Sequence, residues 1–344
     1  MSLNKEKHSV KRKRWLVWLL IVLAVIIISV WPTNYYIESP GTAQKVSELM
    51  TSKAGKPDSH FYMLTVAERP AGLLDYGLSF LRSDESRVSK QELLAGQSTK
   101  SYELLQHYYM TTSQNNALYY AAKKAGRHLK MKYLGIYVLD LLAGSSFKHK
   151  LSVGDTIIKI NGQHFKSTPA MMSYLRKQKI GDKVSITYWH HGKTKQATGK
   201  ICKVKSTGKP GLGVELVDRT QVTFTPKIKI NAGSIGGPSA GLMFSLTAYQ
   251  SLTGKNLTRG RKVAGTGTID AQGKVGIIGG VDKKVIAADR AGAKIFFAPT
   301  QKLPGMKKKA TNYAEAKRTA RRIHSKMKIV PVAKFEDAVA YLEK

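Results

Sequence analysis

One cysteine, Cys202, occurs in 344 residues, which excludes an intramolecular disulfide and any multi-cysteine metal site. Its neighbours alternate like a strand, so it reads as a buried structural thiol. Acidic residues are scarce: 22 Asp and Glu stand against 57 Lys and Arg, a formal charge of +35. A field of that sign suits a polyanion. Yet no paired zinc ligands and no RNA-recognition signature accompany it, so nucleic acid is not an expected partner. Histidine is missing from a long stretch, with none of the nine between positions 192 and 323. His190 and His191 fall in a turn and read as solvated. No Gly-Lys-Ser/Thr follows a glycine-rich loop, which removes a Walker A nucleotide site. No cofactor and no metal are therefore expected.

What is present begins with an apolar run. Residues 15–31 read WLVWLLIVLAVIIISVW, without a charge. As a helix this run is about 26 Å long, close to the roughly 30 Å hydrocarbon core of a bilayer. Trp15, Trp18, Trp31, Tyr35 and Tyr36 suit interfaces, and six Lys and Arg residues precede it. The pattern predicts a cytoplasmic basic tail over 1–14 and one transmembrane helix over 15–32. The remainder would then lie outside the cell, as in a single-pass cell-membrane protein. Residues 33–128 show a strand candidate at 61–66 and a helical pattern over 89–126, but no chemistry. They are expected to pack with the last part of the chain.

Residues 129–205 alternate short strands with turn signals. Asn161-Gly162 marks a hairpin, and Pro169 opens a short helix. Gly144-Ser145-Ser146 followed by Leu151-x-Val153-Gly154-Asp155-x-Ile157-x-x-Ile160-Asn161-Gly162 resembles the core of a PDZ domain. The resemblance implies that Leu134, Gly135 and Ile136, after Tyr133, form the loop that binds a peptide carboxylate, with strand addition beside it.

The strongest chemical signal is Gly236-Gly237-Pro238-Ser239-Ala240-Gly241. It follows a strand candidate and opens an amphipathic run that Gly254 can end. Ser239 would sit at a helix N-terminus, where backbone N–H groups near Gly237, Pro238, Ser239 and Ala240 can stabilise an oxyanion. With no histidine nearby, a lysine is the candidate base. Lys283 and Lys284 follow Gly279-Gly280-Val281-Asp282, Asp282 being the expected N-cap. The helix dipole, a neighbouring cation and burial would each favour a neutral amine there.

Three motifs in order resemble the Lon-type proteolytic domain, covering about 215–344. They are Gly237-Pro238-Ser239-Ala240-Gly241, Ala264-Gly265-Thr266-Gly267-Thr268-Ile269, and Gly279-Gly280 with Lys284 four residues on. The resemblance implies that Ser239 and Lys284 are a catalytic dyad and that Thr266 orients the lysine. It selects Lys284 over Lys283. One departure is Thr268, where the family carries Glu.

The expected fold is a multidomain α+β protein with one N-terminal transmembrane helix, a PDZ β-domain and a Lon-type proteolytic domain. The layout is similar to the membrane-bound, PDZ-containing Lon-like peptidases of Gram-positive bacteria. That likeness implies an ATP-independent serine endopeptidase acting on peptides or flexible protein segments, secreted signalling peptides among them. Expected partners are a peptide or protein substrate and the membrane, with homo-oligomerisation left open. The alternative is a non-catalytic PDZ scaffold that captures peptide tails.

Overall fold

The computed structural model describes residues 3–204, 207–302, 305 and 310–344, with backbone alone for 3–14 and Ala24. Lys205, at the end of the expected PDZ segment, lies outside the described residues. The chain divides into two compact units, 1–42 with 65–96 and 43–64 with 97–344.

In the first unit the helix Leu3–Val30 begins inside the basic tail and stops before the strand Pro32–Lys45. A proline lacks the N–H that would continue the helix, and it pushes its predecessor to extended backbone. The apolar part of the helix, positions 15 to 30, is therefore only sixteen residues, about 24 Å. A span needs about 20 such residues. Among the described residues no helix is long and apolar enough to cross a membrane. This overturns the transmembrane anchor expected over 15–32. The outward placement of the rest of the chain rested on that span alone. Elsewhere in the unit, Arg69 donates to Asp75 at 2.9 and 3.0 Å and to Glu85 at 2.9 Å. Its bond holds the Asp75 carboxyl below the usual range. The helical pattern expected over 89–126 breaks at Ala95 and Gly96, both at positive φ.

The second unit contains three apolar clusters. Strands Val263–Gly265, Ile295–Pro299 and Lys328–Val332 run parallel, linked by helices Val281–Arg290 and Asn312–Arg322. Phe61 and Tyr62 pair on the other side of Val263 and Ala264. Within the expected mixed class, this segment is a parallel βαβαβ unit. Successive side chains on a strand point to opposite faces. Val263, Ile295 and Phe297 accordingly join a core with helices Thr99–Lys124, Gly241–Thr253 and Phe335–Glu343. Ala264, Phe296 and Ala298 face Val281, Val285 and Ala288 of the helix Val281–Arg290. Both faces being covered explains why these strands read as continuous apolar runs.

The third cluster fills an antiparallel sheet of Val214–Phe224, Leu129–Leu141, Thr156–Ile160, Lys183–His190 and Lys193–Lys200, in that order. Phe147, Ile157, Ile160, Met171, Leu175 and Ile186 are fully or almost fully buried beneath it. Asn161 and Gly162 both have positive φ, at 47° and 77°, giving the two-residue hairpin their identity predicts. His191 and Gly192 make a second turn of the same kind. His190 is not solvated: its Nδ1 lies 2.7 Å from Oδ1 of buried Asp155.

The helix Thr99–Lys124 ties these parts together. Ser98 caps it, its hydroxyl accepting from Ser101 N–H at 3.1 Å. The Tyr108 hydroxyl donates to Asp218 O at 3.0 Å, and Asn115 Nδ2 to Thr220 O at 2.9 Å. The Tyr108 ring stacks on Tyr137 at 4.5 Å. At its far end, the Tyr120 hydroxyl and Lys124 Nζ both donate to Glu336 Oε1 at 2.5 Å. Burial raises the Glu336 carboxyl, but the bonds from Lys124 and Tyr120 outweigh it and leave the group below its ordinary value. Burial and the Glu336 bond push the Tyr120 phenol up to about 12.

A carboxyl with a lowered folded pKa stabilises the fold above its ordinary value and loses that contribution as the pH falls through the folded value. Glu336→Gln is therefore expected to cost about 1 kcal/mol at pH 7 and to flatten the fall in stability below the ordinary carboxylate range. Urea titrations across that range check both.

Candidate active site

The segment from 231 to 240 is a loop because its glycines and its polar residues offer no regular ladder. Asn231 Oδ1 accepts from Gly233 N–H at 3.0 Å, closing a local turn. Gly237, at φ 85°, holds a backbone conformation that side chains rarely adopt. Its N–H donates to Gln106 O of the long helix at 2.9 Å. The Ser113 hydroxyl, from the same helix, donates to Pro238 O at 2.8 Å. From the other side, Gly267 N–H and the Thr266 hydroxyl donate to Ser239 O at 2.8 and 3.2 Å. Gly241 opens the helix Gly241–Thr253, and only glycine fits there: an added Cβ would lie 2.8 Å from Ser113 Oγ and 2.9 Å from Ile269 N.

Lys284 reaches this turn from the helix Val281–Arg290. That helix is capped by Gly280 at φ 61°, not by Asp282, which stands in the first turn. Lys284 Nζ lies 2.8 Å from Ser239 Oγ and 3.5 Å from Thr266 Oγ1. Lys284 is 4% and Thr266 1% exposed. Lys283, equally buried, turns away to pair with Asp282 Oδ2 at 2.8 Å. The structure thus gathers Ser239, Lys284 and Thr266, and it separates Lys283 from them.

The expected oxyanion donors divide. The Gly237 N–H is spent on Gln106, and Pro238 has none. Among the described residues no acceptor takes the N–H of Ser239 or Ala240, and these lead into the helix Gly241–Thr253. Sequence reasoning missed the long helix as a wall of this site. The polar residues Ser113 and Asn116, three positions apart beside the apolar run 117–122, were the available signal. Beside Pro238 a cavity of about 330 Å³ opens between that helix and the segment around Thr268.

The expected peptide loop does not stand at an edge. Leu134, Gly135 and Ile136 lie in the strand Leu129–Leu141, which pairs with Val214–Phe224 on one side and Thr156–Ile160 on the other. An added Cβ on Gly135 would meet Ile157 O at 2.5 Å. Strand addition there has no room. The edge strand is Val214–Phe224, preceded by Gly211, Leu212 and Gly213, the last at φ 68°. That segment carries the same apolar-Gly-apolar pattern, so the sequence offered two candidates and only the sheet order separates them.

Residues 113–201 match the family model of the PDZ domain, and residues 217–342 that of the Lon protease (S16) C-terminal proteolytic domain. The chain is 23% identical over 248 residues to the Lon protease of Aster yellows witches'-broom phytoplasma (strain AYWB), covering 60% of this chain and 29% of that protein. It is 42% identical over 93 residues to the Lon protease of Citrifermentans bemidjiense, covering 26% and 11%. The chain therefore spans under a third of the length of these relatives. A PDZ domain of the SdrC-like protein from Listeria monocytogenes is 36% identical, over 26% of this chain and 93% of that one, at a TM-score of 0.25, too low to support a structural comparison. By its two domain matches and its Lon relatives the chain is a PDZ-containing, Lon-like protease.

Thr266→Val keeps the volume but removes the hydroxyl between Lys284 and Ser239. It is expected to lower kcat about 10- to 100-fold with KM within twofold, since orientation acts on the reacting state. Steady-state peptide kinetics, with circular dichroism as the folding control, measure this.

Proposed function

We propose that the chain is an ATP-independent serine endopeptidase in which Ser239 is the nucleophile and Lys284 the general base. The observation that carries this reading is the 2.8 Å contact between Lys284 Nζ and Ser239 Oγ at a helix N-terminus. Burial disfavours a charged amine, so the site suits a lysine that must accept a proton. Ser239 Oγ attacks the peptide carbonyl as Lys284 takes its proton. The N–H groups of Ser239 and Ala240 receive the developing oxyanion. Lys284 then returns the proton to the leaving amine, which leaves an acyl ester on Ser239. Water deprotonated by Lys284 attacks that ester, releasing the carboxylate product and restoring the hydroxyl. Thr266 positions the amine throughout.

No Walker A sequence lies in the chain, so nothing here would unfold a stable protein. Peptides and flexible segments are the fitting substrates. In this reading the PDZ domain assists by binding part of the substrate.

Ser239→Ala and Lys284→Ala are each expected to lower kcat at least about 10³-fold, and the double variant no further than either single. Mass spectrometry of an unstructured peptide digested by the three variants and wild type decides it. Cleavage that survives Ser239→Ala would sink the mechanism.

A further inference from the structure

The cavity beside Pro238 is walled by the long helix on one side and by the segment 268–276 with Gln301 on the other. Beside the apolar surface of Tyr109, Pro238 and Ile269, its polar groups include both donors and acceptors. Asn116 commits Nδ2 to Ile269 O at 3.1 Å, which fixes the amide with its Oδ1 left over. Asp270 accepts from the N–H groups of Gln272 and Lys274 on Oδ1, both at 2.9 Å, and Oδ2 takes neither. Among the described residues, the Thr268 hydroxyl, the Gln301 amide and the Lys274 ammonium make no hydrogen bond.

We propose that this cavity receives the substrate side chain next to the scissile bond and selects an uncharged amide, glutamine or asparagine. The proposal rests on the peptidase reading above. Position supports it: Pro238 lines the cavity and Ser239 follows in the chain, so a residue bound there lies beside the nucleophile. Chemistry supplies the selection. A large apolar side chain would cover Thr268, Asp270, Lys274 and Gln301 without replacing their water, at about 1–3 kcal/mol for each group left unsatisfied. A carboxylate would gain Lys274 but meet Asp270, and an ammonium the reverse, so the wall favours neither charge on balance. A side-chain amide brings two donors and an acceptor, the combination that a wall of mixed donors and acceptors can satisfy. Thr268, where the family carries Glu, removes a second negative charge that would otherwise favour a cation. Asn116 lies outside the residues 217–342 of the proteolytic-domain match, so the long helix sets part of the selectivity from outside that match.

The test uses decapeptides identical except for one residue: Gln, Asn, Leu, Lys or Glu. Wild-type cleavage is followed by mass spectrometry, and binding to the Ser239→Ala protein by fluorescence anisotropy. The amide peptides are expected to exceed Leu, Lys and Glu at least about tenfold in kcat/KM and to rank first in binding, because a site built to hydrogen-bond discriminates strongly against partners that cannot. Thr268→Val with Gln301→Leu should shrink the Gln-to-Leu ratio below threefold while the Leu peptide is still cut, which controls for folding. A wild-type preference for Leu, Lys or Glu overturns the proposal, as does a ratio unmoved by the double substitution. Amide-first binding without any wild-type cleavage would support the selection and sink the peptidase reading instead. Equal binding across the set would sink the selection.

Discussion

One buried turn, from Pro238 to Gly241, governs the rest of the site. It is clamped by Ser113 of the long helix on one side and by Thr266 and Gly267 on the other. Ser113 and Ile269 leave no room for a Cβ at Gly241. The serine is thereby fixed while its oxygen faces the amine of Lys284. A side chain with three staggered rotamers is held in one of them by the backbone that carries it, and an orientation fixed in advance costs nothing during reaction.

The same clamp explains why the long helix matters beyond packing. Its Gln106 and Ser113 hold the nucleophile turn, Asn116 holds Ile269, and Tyr108 and Asn115 hold the edge strand of the PDZ sheet. One rigid element therefore borders Ser239, the cavity beside it and an edge strand of the PDZ sheet. A buried polar group is costly unless satisfied, and the buried Ser113 hydroxyl is satisfied by Pro238 O. The charge of the chain, by contrast, does not enter the site except through Lys283 and Lys284.

Much of this was legible in the sequence, and the reasons are local. The hairpin at Asn161-Gly162, the serine at a helix start and the lysines in a first turn all depend on residues within a few positions of one another. The apolar runs at 263–265 and 295–299 announce strands covered on both faces. The misreadings were non-local. The transmembrane helix failed because Pro32 and the basic tail fix where the helix ends and what it includes, and the apolar turns left between are too few. The peptide loop was assigned to Leu134, Gly135 and Ile136 because they fit the apolar-glycine-apolar loop of the PDZ family, and only strand order shows that they lie in an interior strand. His190 read as solvated until its buried partner, Asp155, came across from another strand.

The sequence by itself determined the class of chemistry. A glycine-framed serine with no histidine between positions 192 and 323 pointed to a lysine base, and the resemblance to the Lon-type motifs is what implied the pairing of Ser239 with Lys284. The motif resemblance already selected Lys284, and the tertiary structure showed that it meets the serine and alone decided which N–H groups remain for an oxyanion and which helix walls the cavity. The physical reason is that neighbouring positions on one helix, such as Lys283 and Lys284, point about 100° apart. Which direction faces the serine is set by packing against strands and helices far away in the chain.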